Sequence, residues 1–156
     1  MKKILTLLAG IVFLITILLA GACSSARDND FKRVIIYLQA HETNGEKHLK
    51  MYDSNDKTIV VDDTLHTEVR PGTIVIWKLV KDSGIEKAEK IGPKKAGKII
   101  IKDATRVLFT KKFKLKIPKK APYNTEEKYD IDFLDKDSKP HSIDPYLKIP
   151  KKQADT

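Results

Sequence analysis

The chain has 156 residues, of which 33% are charged and 41% hydrophobic, and its 30 basic and 21 acidic residues give a net charge of +9. This length suits one domain with its own core, and apolar residues that recur in periodic groups exclude a wholly disordered chain. Cys23 is the only cysteine, which excludes an internal disulfide as a source of stability.

Residues 1–23 have the parts of a secretory signal. Lysines at positions 2 and 3 are followed by an uncharged apolar run over residues 4–19, and three small residues stand directly before Cys23. This arrangement resembles the lipobox of bacterial lipoproteins. The resemblance implies a cleaved, helical signal peptide over residues 1–22 and acylation of the Cys23 thiol at the new N-terminus.

A lipid anchor at Cys23 would make the membrane a partner of this protein and would locate the protein in the bacterial cell envelope, facing outside the cytoplasm. The apolar run is also long enough to span a bilayer as a helix, so an uncleaved transmembrane anchor is the alternative. Both interpretations predict that the rest of the chain lies outside the cytoplasmic membrane.

After the signal, 28 basic residues remain against 21 acidic ones, because only Lys2 and Lys3 of the 30 basic residues are lost, and the net charge is +7. Residues 23–31 are expected to form the lipidated cysteine and a polar tether. The seven residues after Cys23 reach at most about 25 Å, which keeps the domain near the lipid headgroups. Residues 32–150 are predicted to form the folded domain, and residues 151–156 a polar tail.

The first part of the domain alternates between apolar runs and turn signals. Residues 31–40 predict a strand that is covered on both faces, and Asn44-Gly45 predicts a tight turn after it. Further short strands are predicted at residues 48–52, 58–61 and 65–69, with a turn at residues 53–57.

The triplet Arg70-Pro71-Gly72 has proline and glycine at the two central positions of a type II turn. Residues 73–80 follow as the strongest strand signal in the chain, apolar on both faces and therefore predicted to be central. Trp77 is expected in the core, with a partly open aromatic site as the alternative.

Residues 82–97 are polar and rich in lysine, and Ile85, Ala88 and Ile91 recur every three residues, which favours one or two helical turns. Residues 98–102 and 105–109 are short apolar runs around Asp103-Ala104. Residues 129–133 alternate as another strand, residues 135–140 predict a hairpin loop, and residues 143–149 predict a last strand that Asp144-Pro145 interrupts.

Within residues 111–117, lysines at positions 112, 114 and 116 alternate with apolar side chains at positions 113, 115 and 117. Phe113, Leu115 and Ile117 are predicted to face the core, and Lys112, Lys114 and Lys116 to face outward. These three lysines form a candidate basic binding face for anionic lipid, an acidic glycan or an envelope protein partner. The alternative is a solvated face that protects a sheet edge. Nucleic acid is not expected as a partner, because no aromatic residues interleave for base stacking and the compartment is wrong.

Short strands at regular spacing predict a mainly β protein with a single antiparallel β-sandwich. The segment VRPGTIVIWKL at residues 69–79 resembles the Pro-Gly turn and following strand of cupredoxin-like sandwiches, and an immunoglobulin-like sandwich is the alternative. Copper proteins of the cupredoxin class use a cysteine, two histidines and usually a methionine. Cys23 is taken by the anchor, no methionine follows Met51, and only His141 lies near the C-terminus, so no copper site or other cofactor is expected.

No catalytic site is predicted. The chain has no GxSxG nucleophile elbow and no glycine-rich phosphate loop, and none of the four histidines has the spacing of a metal pair. The prediction is a non-enzymatic binding or scaffolding protein. The alternative is an envelope enzyme whose site is assembled from scattered residues, with Glu126, Glu127, His66 and His141 as candidates.

Overall fold

The structure is a computed structural model that describes residues 33–95 and 98–152. The signal segment over residues 1–22, Cys23, the tether and the end of the polar tail lie outside the described residues, so the expectations for them stay predictions. In the described part of the chain, no helix combines the length and the apolar character needed to cross a membrane.

Eleven β-strands make up most of the described chain. They are β1 (Arg33–Thr43), β2 (Glu46–Asp53), β3 (Val60–Val61), β4 (His66–Glu68), β5 (Ile74–Leu79), β6 (Ile85–Pro93), β7 (Thr105–Val107), β8 (Lys112–Lys116), β9 (Thr125–Asp135), β10 (Pro140–Ile143) and β11 (Tyr146–Ile149). A short 3-10 turn at Asp62–Thr64 precedes β4.

The first sheet has the strand order β3-β2-β1-β5-β8-β7. Its β1–β2 hairpin closes at Asn44-Gly45, whose φ angles of 54° and 80° are the two positive values that a two-residue hairpin turn favours. Before β5, Gly72 has a φ of 88°, and the amide of Thr73 donates to the carbonyl of Arg70 at 3.0 Å. Both predicted turns are therefore confirmed, and β5 is central as predicted.

The second sheet is built around β9. Both β6 and β10 pair with the C-terminal half of β9, so they lie at its two opposite edges, and β11 continues from β10 with β4 beyond it. The strands β10 and β11 keep one register along β9 and are interrupted at Asp144-Pro145, as predicted. Pro145 has no amide hydrogen for the ladder, although its carbonyl accepts a bond from the amide of Tyr129 at 3.0 Å.

The two sheets pack against each other through an apolar core. Trp77 of β5 and Tyr129 of β9 are 1% and 0% exposed, and their rings meet edge to face with centroids 5.5 Å apart. The indole N–H of Trp77 donates to the Tyr129 hydroxyl at 3.0 Å. The predicted core position of Trp77 is confirmed, and the alternative of an open aromatic site there is wrong.

The mainly β, sandwich-like fold is confirmed, but its sheets are mixed and not purely antiparallel. β1 pairs with β5 in parallel, and β11 pairs with β4 in parallel. A parallel pair needs a long crossover, and the hydrophobic alternation within each strand is the same for both directions of pairing. The sequence pattern therefore predicted the strands of these two pairs without revealing their relative directions.

The helical turns expected within residues 82–97 are wrong, since this segment contains β6. Its buried residues Ile85, Ala88 and Ile91 do recur every three positions, but the cause is a shift of register against β9 between each pair of them. Each irregularity adds one residue to the two-residue repeat of a strand. The buried residues therefore recur every three positions, as they would on one face of a helix.

The apolar run at residues 98–102 forms no strand. The buried carboxylate of Glu127 accepts hydrogen bonds from the amides of Ile99, Ile100 and Ile101 at 2.7, 3.0 and 3.0 Å. These amides therefore bond to one side chain instead of a strand ladder, while Ile100 and Ile101 fill the core. In the next apolar run, residues 105–109, the strand β7 ends at Val107.

Candidate functional site

The outer face of the first sheet is the side of β2, β1, β5 and β8 that points away from the core. Side chains alternate along each strand, and residues paired across strands share a face, so burial and register identify its members. We call this surface the basic face: it consists of Arg33, Ile35, Tyr37, Lys50, Tyr52, Ile74, Ile76, Lys78, Lys112, Lys114 and Lys116.

The predicted orientation of β8 is confirmed. Phe113, Leu115 and the following Ile117 are buried, while Lys114 and Lys116 are exposed and Lys112 is half-buried. The idea that these lysines protect a sheet edge is wrong for Lys112 and Lys114, because β7 covers that edge by pairing with both residues. Whether the three lysines bind a partner remains a prediction.

Three cross-strand rows run from β1 through β5 to the lysines of β8. Ile74 stands between Arg33 and Lys116, and Ile76 lies opposite Lys114. In the third row Lys78 lies directly opposite Lys112, and like charges in such positions are destabilising. None of the ion pairs between described residues involves any of the three lysines of β8.

The centre of the basic face is apolar and aromatic. Ile35, Ile76 and Tyr37 are half-buried, so the face predicted to be fully covered on β1 and β5 is open to solvent in part. Tyr37 and Tyr52 stack with ring centroids 4.7 Å apart and planes 13° apart, and the Nζ of Lys78 lies 5.6 Å from the centre of the Tyr37 ring. The face thus combines a rigid ring pair with cations around it.

The charges on the second sheet are arranged differently, because most of its lysines face acids. Lys128 binds Asp144 at 2.6 Å and Asp63 at 3.5 Å, and Lys94 binds Asp144 at 2.5 Å. The hydrogen bonds from Lys128 and then Lys94 hold the pKa of the Asp144 carboxyl below its usual value. The lysines of β8 on the basic face have no such acidic partners among the described residues, and this distinguishes the two sheets.

The residues considered for an enzymatic site lie at three separate places. The Nδ1 of His66 is 2.9 Å from Glu126 Oε1 on the surface, and the His66 ring stacks on Tyr146. Glu127 points from the opposite face of β9 into the core, where it is 5% exposed and bonds to backbone amides. The structure therefore brings His66 and Glu126 together but separates them from Glu127 and His141.

His141 belongs to the β9–β10 hairpin. Its Nε2 lies 3.0 Å from Asp135 Oδ2, and its ring stacks on Phe133. The pKa of Asp135 is lowered chiefly by the backbone N–H of Lys139, with a further contribution from His141, while burial opposes the shift. The pair is thus an integral part of the hairpin loop that the sequence predicted, since Asp135 also accepts the amide of Asp137 at 2.9 Å.

A shallow cavity of about 310 Å³ lies beside His141. His48, Asp62, Asp63 and Asp144 line it together with His141, and His48 Nδ1 is 2.7 Å from Asp62 Oδ2. Nothing in the sequence pointed to this grouping, because its members come from distant segments. Among the described residues, no three histidine, cysteine or acidic side chains are grouped so that they could hold a metal ion.

Sequence reasoning missed most of the basic face. It identified the three lysines of β8 but not Arg33, Lys50, Lys78 or the stacked tyrosines. The sequence carried one signal for these residues, because the apolar runs of β1 and β5 also contain polar side chains. Lys78, for example, interrupts the apolar residues that follow the Pro-Gly turn.

No protein-family model matches the chain, and a comparison with curated proteins finds no significant match.

Proposed function

We propose that this chain is a lipid-anchored protein of the bacterial cell envelope whose β-sandwich binds an anionic partner in a non-enzymatic role. The observation that carries the proposal is the basic face, where six cationic side chains surround stacked tyrosines and half-buried isoleucines. The resemblance of residues 1–23 to a lipoprotein signal supports the location.

The arrangement suits phosphate or carboxylate groups presented along an extended surface. A lysine ammonium gains about 1 kcal/mol near an anionic membrane surface, and several lysines on one rigid sheet add their contributions. Lys78 and Lys112 stand opposite each other despite their repulsion, which an external anion would relieve. Anionic lipid headgroups are the first candidate because the proposed anchor holds the domain beside them, and an acidic glycan or envelope protein is the second.

A non-enzymatic role is favoured because the acids and histidines considered for catalysis do not converge. Glu127 holds backbone amides, Asp135 caps the hairpin that carries His141, and only His66 and Glu126 of the four candidates meet. An envelope enzyme would have to act with the surface pair of His66 and Glu126.

The test uses the compact unit Phe31–Thr156, which contains all eleven strands. Changing Lys112, Lys114 and Lys116 together to Gln should weaken co-sedimentation with phosphatidylglycerol vesicles, and wild-type binding should fall as salt rises. Folding should be nearly unchanged, because exposed charges contribute little to stability. An acidic polysaccharide in place of vesicles distinguishes a glycan from a lipid partner.

The matched control changes Lys90, Lys136 and Lys139 to Gln. These lysines are exposed around the second sheet, and their replacement removes the same charge. Equal weakening by both triple variants would mean that only net charge matters. Absence of wild-type binding to both anionic probes at low salt would overturn the proposed role of the basic face.

A further inference from the structure

The turn between β7 and β8 exposes two large apolar side chains at the end of the basic face. We call residues 108–111 (Leu108, Phe109, Thr110 and Lys111) the β7–β8 tip. Leu108 is 79% exposed and Phe109 is 104% exposed, so neither contributes to the core. Adjacent exposed apolar residues of this size on an otherwise polar loop mark an interaction site.

The backbone of the tip holds Phe109 in an unfavourable conformation. Its φ is 58°, a value that glycine and asparagine adopt readily and that is strained for a bulky side chain. The turn is closed by the amide and the hydroxyl of Thr110, which both donate to the Val107 carbonyl, at 3.2 and 2.9 Å. A glycine would serve this turn better, so folding alone does not account for a phenylalanine here.

Cations surround the base of the tip. Lys111 is exposed next to Phe109, and Lys112 and Lys114 continue along β8, while Arg106 is exposed on β7. The described part of the turn and of the two strands that flank it, residues 105–116, contains no acidic residue. An apolar tip flanked by basic residues is complementary to an anionic bilayer, where apolar side chains enter the acyl boundary and lysines remain among the headgroups.

We propose that the β7–β8 tip inserts into the interface of an anionic membrane and forms a second point of attachment for the domain. This inference rests on the proposed membrane location but not on the role of the lysines on the sheet. It predicts an orientation, because β1 begins at Arg33 in the same row as Lys116, whereas the tip directly precedes Lys112 at the other end of β8.

These two ends of β8 are about 13 Å apart at the usual rise per residue. Strand β1 begins at Arg33 at one end of the basic face, and the tip lies at the other end. Both can contact one membrane surface when the basic face lies along that surface. The charge of the face and the apolar tip thus favour the same orientation.

The test places a fluorophore at the tip of the full chain, reconstituted in vesicles. Phe109→Trp introduces an indole that should be quenched by lipids brominated near the headgroup end of their acyl chains in phosphatidylglycerol vesicles. Quenching should be largely lost in phosphatidylcholine vesicles. The native Trp77 gives a constant background because it is 1% exposed in the core. Tyr146→Trp, on the outer face of the second sheet, is the matched control and should not be quenched.

A second measurement needs no new fluorophore. Peptides that cover residues 105–112 of the unchanged chain should exchange amide hydrogens more slowly in phosphatidylglycerol than in phosphatidylcholine vesicles. The double variant Leu108→Ser with Phe109→Asn should lose this difference and keep or raise the melting temperature, because asparagine tolerates the positive φ.

An indole at position 109 that stays unquenched in phosphatidylglycerol vesicles, together with unchanged exchange at the tip, would overturn the proposal. Protection of the tip that depends on protein concentration and not on lipid would overturn it in favour of contact between copies of the chain. If the indole at position 109 is quenched but co-sedimentation does not depend on the lysines of β8, only the proposed role of the basic face would be overturned.

Discussion

Trp77 and Tyr129 join the two sheets through one hydrogen bond between nearly inaccessible side chains. Burial raises the pKa of the Tyr129 hydroxyl, while the bond from the Trp77 indole opposes the shift. The hydroxyl therefore stays protonated around neutral pH and always offers its oxygen to the indole N–H. A single polar contact can fix the relative position of two apolar layers because a buried donor without an acceptor is costly.

The stability of this contact can be measured by urea unfolding of the Phe31–Thr156 unit. Trp77→Ala should lower the free energy of unfolding by about 3–5 kcal/mol, since it removes a large side chain and leaves a cavity. Tyr129→Phe should lower it by about 1–3 kcal/mol, because the indole N–H loses its acceptor. Tyr123→Phe, at an exposed tyrosine, should change it by less than about 0.5 kcal/mol. Similar effects of the two Tyr→Phe changes would contradict this account.

At the scale of elements, the carboxylate of Glu127 accepts hydrogen bonds that a neighbouring strand would otherwise accept. Glu127 accepts three consecutive amides from residues 99–101 and so holds a non-repetitive segment whose isoleucines fill the core. Its neighbour Glu126 points to the other face of β9 and pairs with His66 at the surface. Two adjacent glutamates therefore have unrelated roles because a strand turns alternate side chains to opposite faces.

Glu127→Gln should lower the free energy of unfolding by about 1.5–3 kcal/mol. The glutamine side chain has one acceptor oxygen and no charge, and its NH₂ group would face the backbone N–H donors. Hydrogen exchange at Ile100 and Ile101 should accelerate, while exchange in β1 and β5 should change little. The control Glu126→Gln should cost no more than about 1 kcal/mol, because its ion pair is exposed. Unchanged exchange at residues 100–101 in the Glu127 variant would refute the role of this carboxylate.

At the scale of the whole molecule, the two sheets differ in how their lysines pair with acids. The first sheet presents Lys114 and Lys116 without acidic partners among the described residues, whereas near the second sheet Lys94 and Lys128 both pair with Asp144, and Lys128 also lies 3.5 Å from Asp63. An anchor at the N-terminus of β1 would orient this asymmetry, since β1 lies in the middle of the basic sheet.

The anchor itself is tested by Cys23→Ala in the full chain. The change should abolish incorporation of labelled fatty acid and leave an unprocessed precursor, because the acylated thiol is required for cleavage of a lipoprotein signal. Cys23→Ser is a closely matched second variant, which retains the size of the side chain but lacks the thiol. Normal labelling and maturation of both variants would refute lipidation at Cys23, whereas a wild-type chain that is neither labelled nor processed would favour the uncleaved transmembrane anchor.

Features that depend on neighbouring residues could be predicted from the sequence. The turns at Asn44-Gly45 and Arg70-Pro71-Gly72 follow from the φ angles that these residues accept, and the orientation of Lys112, Lys114 and Lys116 follows from strand alternation. Trp77 could be assigned to the core because it lies in the strongest strand signal of the chain, which is apolar on both faces. The sandwich class followed from many short strands with turns between them.

Features that join distant residues emerged only in the folded chain. Alternation does not distinguish parallel from antiparallel neighbours, so the pairs β1–β5 and β4–β11 were not predictable, and two irregularities gave β6 a helical period. The bond from Trp77 to Tyr129 spans 52 positions, and the basic face joins residues from four strands. Local preferences select turns and strand faces, but the order and register of strands follow from packing energies that are summed over the whole core.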